Sequence, residues 1–281
     1  MNVVVAVDGS KYGRWAVQWV GGMPFVKRPA VTALHVVDLA ALRAPFVPQP
    51  AMIGYEGYLQ AEKKRMENRA KKAVAETMVL LTSLTLRGRV TVEKGHVAPA
   101  ILTHAGRRVG LVALGNRGLG NFDRFSLGSV SSQVMLHAPC SVLVVKQPPR
   151  PIRRILLAVD GSKTSDRALH FLLRELKPAK KGEIEVIVLY VLPPFAYSEV
   201  AVAGINLAHR YADRLEDAGY CVHEAYMPGD PADEIVAAAK SRRADLVVAG
   251  AKGLSAVERF LLGSVSTKLT RHCPCSILVV R

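Results

Sequence analysis

The sequence is poor in cysteine. It has four cysteines in 281 residues, which is too few for a disulfide scaffold in a chain of this size. Cys273 and Cys275 stand in a Cys-x-Cys arrangement, which lacks zinc-finger spacing, and no second Cys/His cluster in the sequence completes four ligands. We therefore expect these cysteines to be packing residues that lead into a strand, and we expect no metal site.

Long apolar runs are missing as well. The longest, such as residues 140–145, are far too short to cross a bilayer. The first residues reach a charge at Asp8 with no basic stretch before it, which is not the pattern of a signal peptide. Hydrophobic residues make up 50% and charged residues 22%, a balance typical of globular domains. The expectation is a soluble, cytoplasmic protein with no membrane partner.

Acidic residues are scarce beside basic ones. The net charge is +15, and residues 1–147, with 19 basic and 8 acidic side chains, carry +11 of it. A basic surface attracts polyanions without specificity. The basic clusters 63–65 and 69–72 alternate with Glu62 and Glu67 at helical spacing, which is typical of a solvated helix face. No aromatic-flanked basic stripe accompanies them, so we do not expect nucleic acid as a partner.

Internal repetition organises the chain. Residues 124–146 match residues 259–281 at 14 of 23 positions, and residues 4–10 resemble residues 156–162. The prolines of residues 147–151 make a short, stiff connector between the copies. The sequence therefore predicts two domains, residues 1–147 and 152–281.

Strand-like and helix-like segments alternate in each copy. Five short β-branched runs are separated by amphipathic segments, a pattern that predicts an α/β fold with a parallel, doubly wound sheet and right-handed crossovers. The first copy has about 21 extra residues between its second and third strands. They include the proline-rich segment 44–50, which we interpret as a flap or contact surface.

A glycine element follows the fourth strand of each copy. It reads Gly-x-x-Gly, nine residues and Gly-Ser, and begins at Gly115 and at Gly250. Glycine allows a ligand to approach the backbone closely, and the closing Gly-Ser opens a helix whose free amides and dipole favour an anion. The hydroxyls of Ser129 and Ser264 add donors at that end, and Ser131 and Ser266 lie within a turn of them. The alternative is that the glycines only shape a turn.

Asp8 and Asp160 end the first strand of each copy. Ligands of open α/β sheets bind beyond the carboxyl ends of the strands, where the strand order reverses, so these carboxylates are placed to accept hydrogen bonds from a sugar or base. The alternative is that they cap the next helix. Arg117, Arg124, Lys252 and Arg259 are candidates for phosphate neutralisation, with a solvated loop face as the alternative.

These motifs resemble the universal stress protein family. The first-strand Val-Asp-Gly-Ser, the glycine element and the closing Pro-Cys-Ser strand occur in both halves, so the resemblance covers essentially the whole chain. It implies two tandem Rossmann-like domains, each with a five-stranded parallel sheet of order 3-2-1-4-5 and helices on both faces. It also implies ATP, or AMP or ADP, as the cofactor, with Mg²⁺ as a plausible companion.

The resemblance also implies site residues. In the first half, Asp8 and the backbone of Val36 face the adenosine, and five residues hold ribose and phosphates: Gly115, Gly118, Gly128, Ser129 and Val130. The second-half matches are Asp160, Val191, Gly250, Gly253, Gly263, Ser264 and Val265. Tyr190 replaces His35, and Asp245 stands where the first half has Gly110. These differences leave open whether both sites bind equally.

Three functions are compatible with this pattern. The first is a regulatory ATP-binding module of the stress response with little turnover, whose fifth strands pair within the chain and which can form a homodimer. The second is a slow ATPase or an adenylyl-transferring enzyme, although Gly-x₄-Gly-Lys-Ser/Thr and His-x-Gly-His signatures are missing from the sequence. The third is a polyanion-binding interaction protein. We expect the first, with no catalytic residues.

Overall fold

Strands and helices alternate through both halves of the chain. The computed structural model describes residues 1–38, 55–106, 108–118, 127–192, 198–253 and 262–281. The first half contains β1 (Asn2–Val7), α1 (Lys11–Gly22), β2 (Ala30–Val37), α2 (Tyr55–Ser83), β3 (Arg87–Lys94), α3 (Val97–His104), β4 (Leu111–Gly115), α4 (Ser129–His137) and β5 (Ser141–Val145). The second contains β6 (Arg154–Val159), α5 (Lys163–Glu175), β7 (Glu185–Leu192), α6 (Ser198–Asp217), β8 (Cys221–Pro228), α7 (Pro231–Ser241), β9 (Leu246–Gly250), α8 (Ser264–His272) and β10 (Ser276–Val280).

The strand order confirms the expected topology within each half. The sheet runs β3-β2-β1-β4-β5 and then β10-β9-β6-β7-β8, which is 3-2-1-4-5 followed by its mirror-ordered copy. All pairings inside a half are parallel. The reversal of strand order therefore lies between β1 and β4 in the first half and between β6 and β9 in the second.

The two halves share one sheet. β5 pairs antiparallel with β10, with Leu143 opposite Leu278 and Val142 opposite Val279. The expectation of two separate five-stranded sheets is therefore wrong in this respect, because the ten strands are continuous. The physical reason is that all five residues of β5 and of β10 are buried, so neither strand is suited to a solvent-exposed edge.

Apolar side chains on both faces of the sheet explain its continuous hydrophobic runs. In β4, Leu111 and Ala113 face the layer of α1 and α2, while Val112 and Leu114 face α3 and α4. All four side chains are at most 2% exposed. Parallel strands covered on both faces need apolar residues at successive positions rather than alternating ones, as seen here.

Further contacts join the halves beside the sheet. The segment after α1 forms a bridge with the segment after α5 between Phe25 and Leu176, with backbone hydrogen bonds of 2.8 and 2.9 Å on either side. Trp19 on α1 donates its indole Nε1–H to the carbonyl oxygen of Gln147 in the connector, at 3.0 Å. The connector is thus held against the first half.

Asp245 lies at the edge of the sheet opposite the carboxyl ends of the strands. Its Oδ2 accepts hydrogen bonds from the amides of Arg153 and Arg154 at 2.9 Å, and its Oδ1 is 2.7 Å from Nε of Arg150. The carboxylate secures the entry into β6. Its difference from Gly110 in the first half therefore has no direct bearing on a site at the other edge.

Candidate functional site

The carboxylates that end β1 and β6 organise the turns that follow them. Asp8 Oδ1 accepts the Ser10 amide at 2.9 Å, and Asp160 Oδ1 accepts the Ser162 amide at 2.9 Å. The helix caps are the serines, since the Ser10 hydroxyl oxygen accepts the Gly13 amide at 3.2 Å and Ser162 does the same in α5. The alternative that the Asp-Gly-Ser motif caps the next helix is therefore correct, but the capping residue is the serine and not the aspartate.

The second carboxylate oxygen of each aspartate faces the glycine loop. A Cβ atom built on Gly118 would lie 2.8 Å from Asp8 Oδ2, and one on Gly253 would lie 2.8 Å from Asp160 Oδ2. Close approach of a carboxylate to the backbone therefore explains these two glycines. It also brings the ends of β1 and β4, and of β6 and β9, to one point in each half.

Hydrogen bonds fix the glycine loop against the following helix. In the first half, the Ser131 hydroxyl donates to the Gly115 carbonyl oxygen at 2.8 Å, and the Gly128 amide donates to the Asn116 carbonyl oxygen at 2.8 Å. The second half repeats both bonds, with the Ser266 hydroxyl 2.7 Å from the Gly250 carbonyl oxygen. The Ser131 and Ser266 hydroxyls therefore hold the glycine loop against the helix that follows it.

The amino termini of α4 and α8 are available to an anion. Gly128 and Gly263 are their N-cap residues, no side chain in the described parts of the chain caps either helix, and neither first turn contains an acidic residue. The unpaired first-turn amides carry the positive end of the helix dipole. Close by, the Nε atom of Arg117 is buried and has no hydrogen-bond partner among the described residues.

A cavity of about 400 Å³ opens at this edge of the first half. Its wall contains every residue assigned to the first site: Asp8, Val36, Gly115, Gly118, Gly128, Ser129 and Val130. Leu34, Val97, Ile101 and Leu114 supply an apolar side, and four charged residues line it, namely Asp8, Asp38, Arg69 and Arg117. An apolar wall with a few convergent polar groups is the usual composition of a small-ligand site.

Two cavity residues, Met66 and Arg69, lie on α2, where the sequence does not indicate a site. Arg69 is exposed, as the interpretation of a solvated helix face predicts. It also lines the cavity, because α2 passes over the carboxyl ends of the strands. The buried residues Ala70 and Ala73 fix that orientation, but their small side chains give a weak periodic signal in the sequence.

The second half preserves the backbone arrangement with different side chains around it. Asp160, Gly250, Gly253 and Gly263 repeat the first-half geometry, and Ser264 and Val265 begin α8. Val191 is buried at the end of β7, next to Tyr190. The carbonyl oxygen of Lys252 accepts hydrogen bonds from the hydroxyls of Ser162, at 3.1 Å, and Thr164.

Other sequence candidates lie away from the cavities or outside the described residues. Segment 44–50, Arg124 and Arg259 are outside them. Cys140, Cys273 and Cys275 are buried, whereas Cys221 is exposed, so the packing interpretation does not extend to Cys221. Burial raises the pKa of the Cys140 and Cys275 thiols to about 11 and that of Cys273 to about 12. No group of three or more His, Cys, Asp or Glu residues in the described ranges is arranged to hold a metal ion.

Of the helices that the described residues form, none combines the length and the apolar character that crossing a bilayer requires.

Known proteins resemble this chain over its whole length. The profile of the universal stress protein family matches residues 1–146 and again residues 151–281. A universal stress protein of Mycobacterium tuberculosis is 27% identical over 317 aligned positions, covering 100% of this chain and 95% of that protein. A putative universal stress protein of Staphylococcus aureus is 32% identical over 142 positions, covering 46% of this chain and 84% of its own length.

Solved structures show the same fold. The crystal structure of a universal stress protein from Archaeoglobus fulgidus superposes with a TM-score of 0.71 at 20% identity, covering 100% of this chain and 98% of that one. The family profile alone accounts for nearly the whole sequence in two consecutive matches. The chain therefore belongs to the universal stress protein family.

Proposed function

We propose that this chain is a regulatory module that binds an adenine nucleotide, ATP or else AMP or ADP, at the carboxyl edge of its sheet. One observation carries the proposal: the carboxylate of Asp8, the amino terminus of α4 and the Nε of Arg117 converge on one cavity. Among the residues that the structure describes, no side chain caps that terminus and no group hydrogen-bonds to that Nε. Donors for an anion and an acceptor for hydroxyl groups, set beside an apolar wall, are the requirements of a nucleotide.

Each part of the site has a role in this proposal. Asp8 and the Val36 backbone face the adenosine, and the ribose and phosphates lie along Gly115, Gly118, Gly128, Ser129 and Val130. The second site uses the corresponding set: Asp160, Val191, Gly250, Gly253, Gly263, Ser264 and Val265. Mg²⁺ would arrive bound to the nucleotide phosphates, since no dedicated cluster of metal ligands occurs in the described part of the chain.

We propose that the bound nucleotide acts as a signal and is not rapidly turned over. Two side chains of the first cavity that can accept a proton make structural contacts through one of their atoms. His35 Nδ1 is 2.9 Å from the Val7 carbonyl oxygen, and one oxygen of Asp8 holds the Ser10 amide. The Gly-x₄-Gly-Lys-Ser/Thr and His-x-Gly-His signatures are also missing from the sequence, which favours binding over rapid hydrolysis.

The assembly is part of the proposal. We propose two folding units, residues 1–147 and 152–281, joined within the chain through β5 and β10. The strands at the outer edges of the sheet, β3 and β8, leave room for association of two chains. Residence in the cytoplasm is consistent with an adenine nucleotide as the ligand.

Native mass spectrometry of protein purified without added nucleotide tests the proposal. A mass increase equal to one or two adenine nucleotides is the expected result, together with millimolar or tighter binding of ATP by calorimetry. No binding at millimolar ATP would refute the proposed function. Phosphate release of many cycles per minute would replace it with the ATPase alternative, and binding that survives both Gly128→Val and Gly263→Val but weakens steeply with salt would favour the polyanion alternative.

A further inference from the structure

We propose that the two nucleotide sites are unequal, and that Arg69 of α2 makes the first site the tighter one by contacting the phosphate chain. This inference rests on the proposed nucleotide function. It adds a binding residue that lies outside the glycine element and has no equivalent in the second half.

The ends of α2 and α6 establish which residues correspond. The Leu86 amide donates to the Leu81 carbonyl oxygen after α2, and the Tyr220 amide donates to the Leu215 carbonyl oxygen after α6, so Leu81 matches Leu215. Counting back by the same number of residues in each helix pairs Arg69 with Ala203. The arginine of the first cavity therefore corresponds to a side chain with no charge.

The charges around the two sites differ as a result. The first cavity has two cationic side chains, Arg69 and Arg117. At the matching positions the second half has Ala203 and Lys252, and the position that matches Asp38 is Pro193, so across the positions compared it has one cation and one carboxylate fewer. Arg69 is exposed at the rim of the first cavity, and an arginine presents several donors to phosphate oxygens and stays charged. Through this side chain, the first half should bind a nucleotide with a long phosphate chain more tightly.

Tyr190 fills space against α6 in the second half. It stands in register with Val159 as His35 does with Val7, so the two residues correspond. Its ring lies against α6, where a Cβ atom built on Gly204 would be only 2.1 Å from the ring carbon Cε1. In the first half, His35 is smaller and lines the cavity. The ring thus occupies space between the strand ends and the helix in the second half.

The second glycine loop is also tied more firmly to the neighbouring helix. Besides the bonds to its carbonyl oxygen, the Lys252 amide donates to the Thr164 hydroxyl oxygen at 3.2 Å. The residue matching Thr164 is Tyr12, whose ring instead packs edge-on against Trp15 with a centroid distance of 5.1 Å. Adjusting the second loop around phosphates would disrupt bonds that the first loop does not make through Tyr12.

Calorimetry with ATP, with adenosine as an uncharged probe, tests the inference. The wild type should show one tight and one weaker ATP site, and Gly128→Val should remove the tight one while Gly263→Val leaves it. Arg69→Ala should weaken ATP at the tight site about tenfold and leave adenosine unchanged. Ala203→Arg should strengthen the weaker site. Circular dichroism and thermal unfolding verify that each variant is folded.

Arg65→Ala is the matched control. Arg65 lies one turn earlier on α2, is 70% exposed and contacts Glu62 at 3.4 Å. Equal ATP sites in the wild type, an effect of Arg69→Ala no larger than that of Arg65→Ala, or an equal loss of adenosine affinity would overturn the inference while leaving the nucleotide function in place. A wild type that binds neither ATP nor adenosine would overturn both.

Discussion

The Nζ atom of Lys146, just after β5, lies 2.8 Å from the carbonyl oxygen of Cys273 at the end of α8 in the other half. The contact is reciprocated. Arg281, just after β10, donates through Nη2 to the carbonyl oxygens of Met135 and Leu136 at the end of α4. Each half therefore supplies a cation to the negative end of the other half's last helix, which favours the antiparallel pairing of the two central strands.

Replacing Lys146 should measure this contact. Lys146→Ala leaves the Cys273 carbonyl oxygen without that donor, and we expect a loss of about 1–3 kcal/mol in the free energy of unfolding. Urea unfolding followed by circular dichroism is the measurement. Lys72→Ala, at an exposed residue whose nearest carboxylate is 3.9 Å away, is the control and should change stability by less than about 0.5 kcal/mol. Equal stabilities of the two variants would contradict the prediction.

Thiol labelling should distinguish one cysteine from the other three. Cys221 is exposed, whereas burial raises the pKa of the other three thiols and keeps them protonated and unreactive. Ellman's reagent at pH 8 should therefore label one thiol in the native protein, none in Cys221→Ser and four in the unfolded wild type. Rapid labelling of a second native thiol would show that the burial is incomplete.

Alkaline pH should destabilise the fold through the same buried thiols. Their folded pKa values lie above the value of 9.0 for an ordinary cysteine, so between the two values the folded chain keeps protons that the unfolded chain has lost. Their contribution to stability is complete below pH 9 and is lost as the pH rises to about 11 and 12. A triple variant, Cys140→Ala, Cys273→Ala and Cys275→Ala, should lose less stability than the wild type between pH 9 and 11. If the free energy of unfolding falls equally with pH in the wild type and the triple variant, the thiols are not the cause.

A larger residue at the N-cap of α4 or α8 should block the proposed binding site beside it. A Cβ atom on Gly128 would already lie 3.2 Å from the Asn116 carbonyl oxygen, and one on Gly263 would lie 3.4 Å from that of Ala251. The branches of valine would extend beyond this point, so Gly128→Val and Gly263→Val should each abolish one binding site in calorimetry. Gly22→Ala, where an added Cβ meets nothing within 4 Å, is the control. An unchanged stoichiometry would contradict the assignment of these helix termini.

Because Gly118 lies close to Asp8, a substitution at position 118 should weaken ligand binding without abolishing it. Alanine at position 118 would place a Cβ atom 2.8 Å from Asp8 Oδ2 and force the carboxylate to move. Gly118→Ala should weaken adenosine binding about tenfold, because the carboxylate no longer meets the sugar or base in the same position. Asp8→Asn supplies the comparison, since it removes the charge without adding bulk. If both variants bind adenosine with the affinity of the wild type, Asp8 does not contact the ligand.

The sequence predicted the backbone of this protein better than its side-chain arrangement. The duplicated strands and the glycine spacing are local patterns, so they indicated a parallel α/β sheet and the loop before α4, whereas the order 3-2-1-4-5 was implied by the family resemblance. The sequence did not identify Arg69 as a cavity residue. Its position depends on the direction in which α2 crosses the sheet, and alternating charges do not indicate that direction. The glycine at position 118 was recognised, but its reason, contact with a residue more than a hundred positions away, requires the folded chain.

Asp245 illustrates the opposite error. Its difference from Gly110 was visible in the aligned halves and suggested unequal sites, but the residue lies at the far edge of the sheet. An alignment marks that two copies differ, whereas the three-dimensional position decides whether the difference can reach a ligand. Tyr190, by contrast, differs from His35 and lies near the carboxyl end of its strand, at the same edge of the sheet as the proposed site.

The joining of β5 to β10 within a single chain has an evolutionary consequence. In an assembly of two identical subunits, every mutation appears on both sides of the symmetry axis, so a residue cannot be lost from one pocket alone. A fused pair is free of that constraint, and its pairing does not weaken on dilution because a short connector keeps the partners together. One pocket can then be kept under selection for its ligand while the other drifts toward a different task.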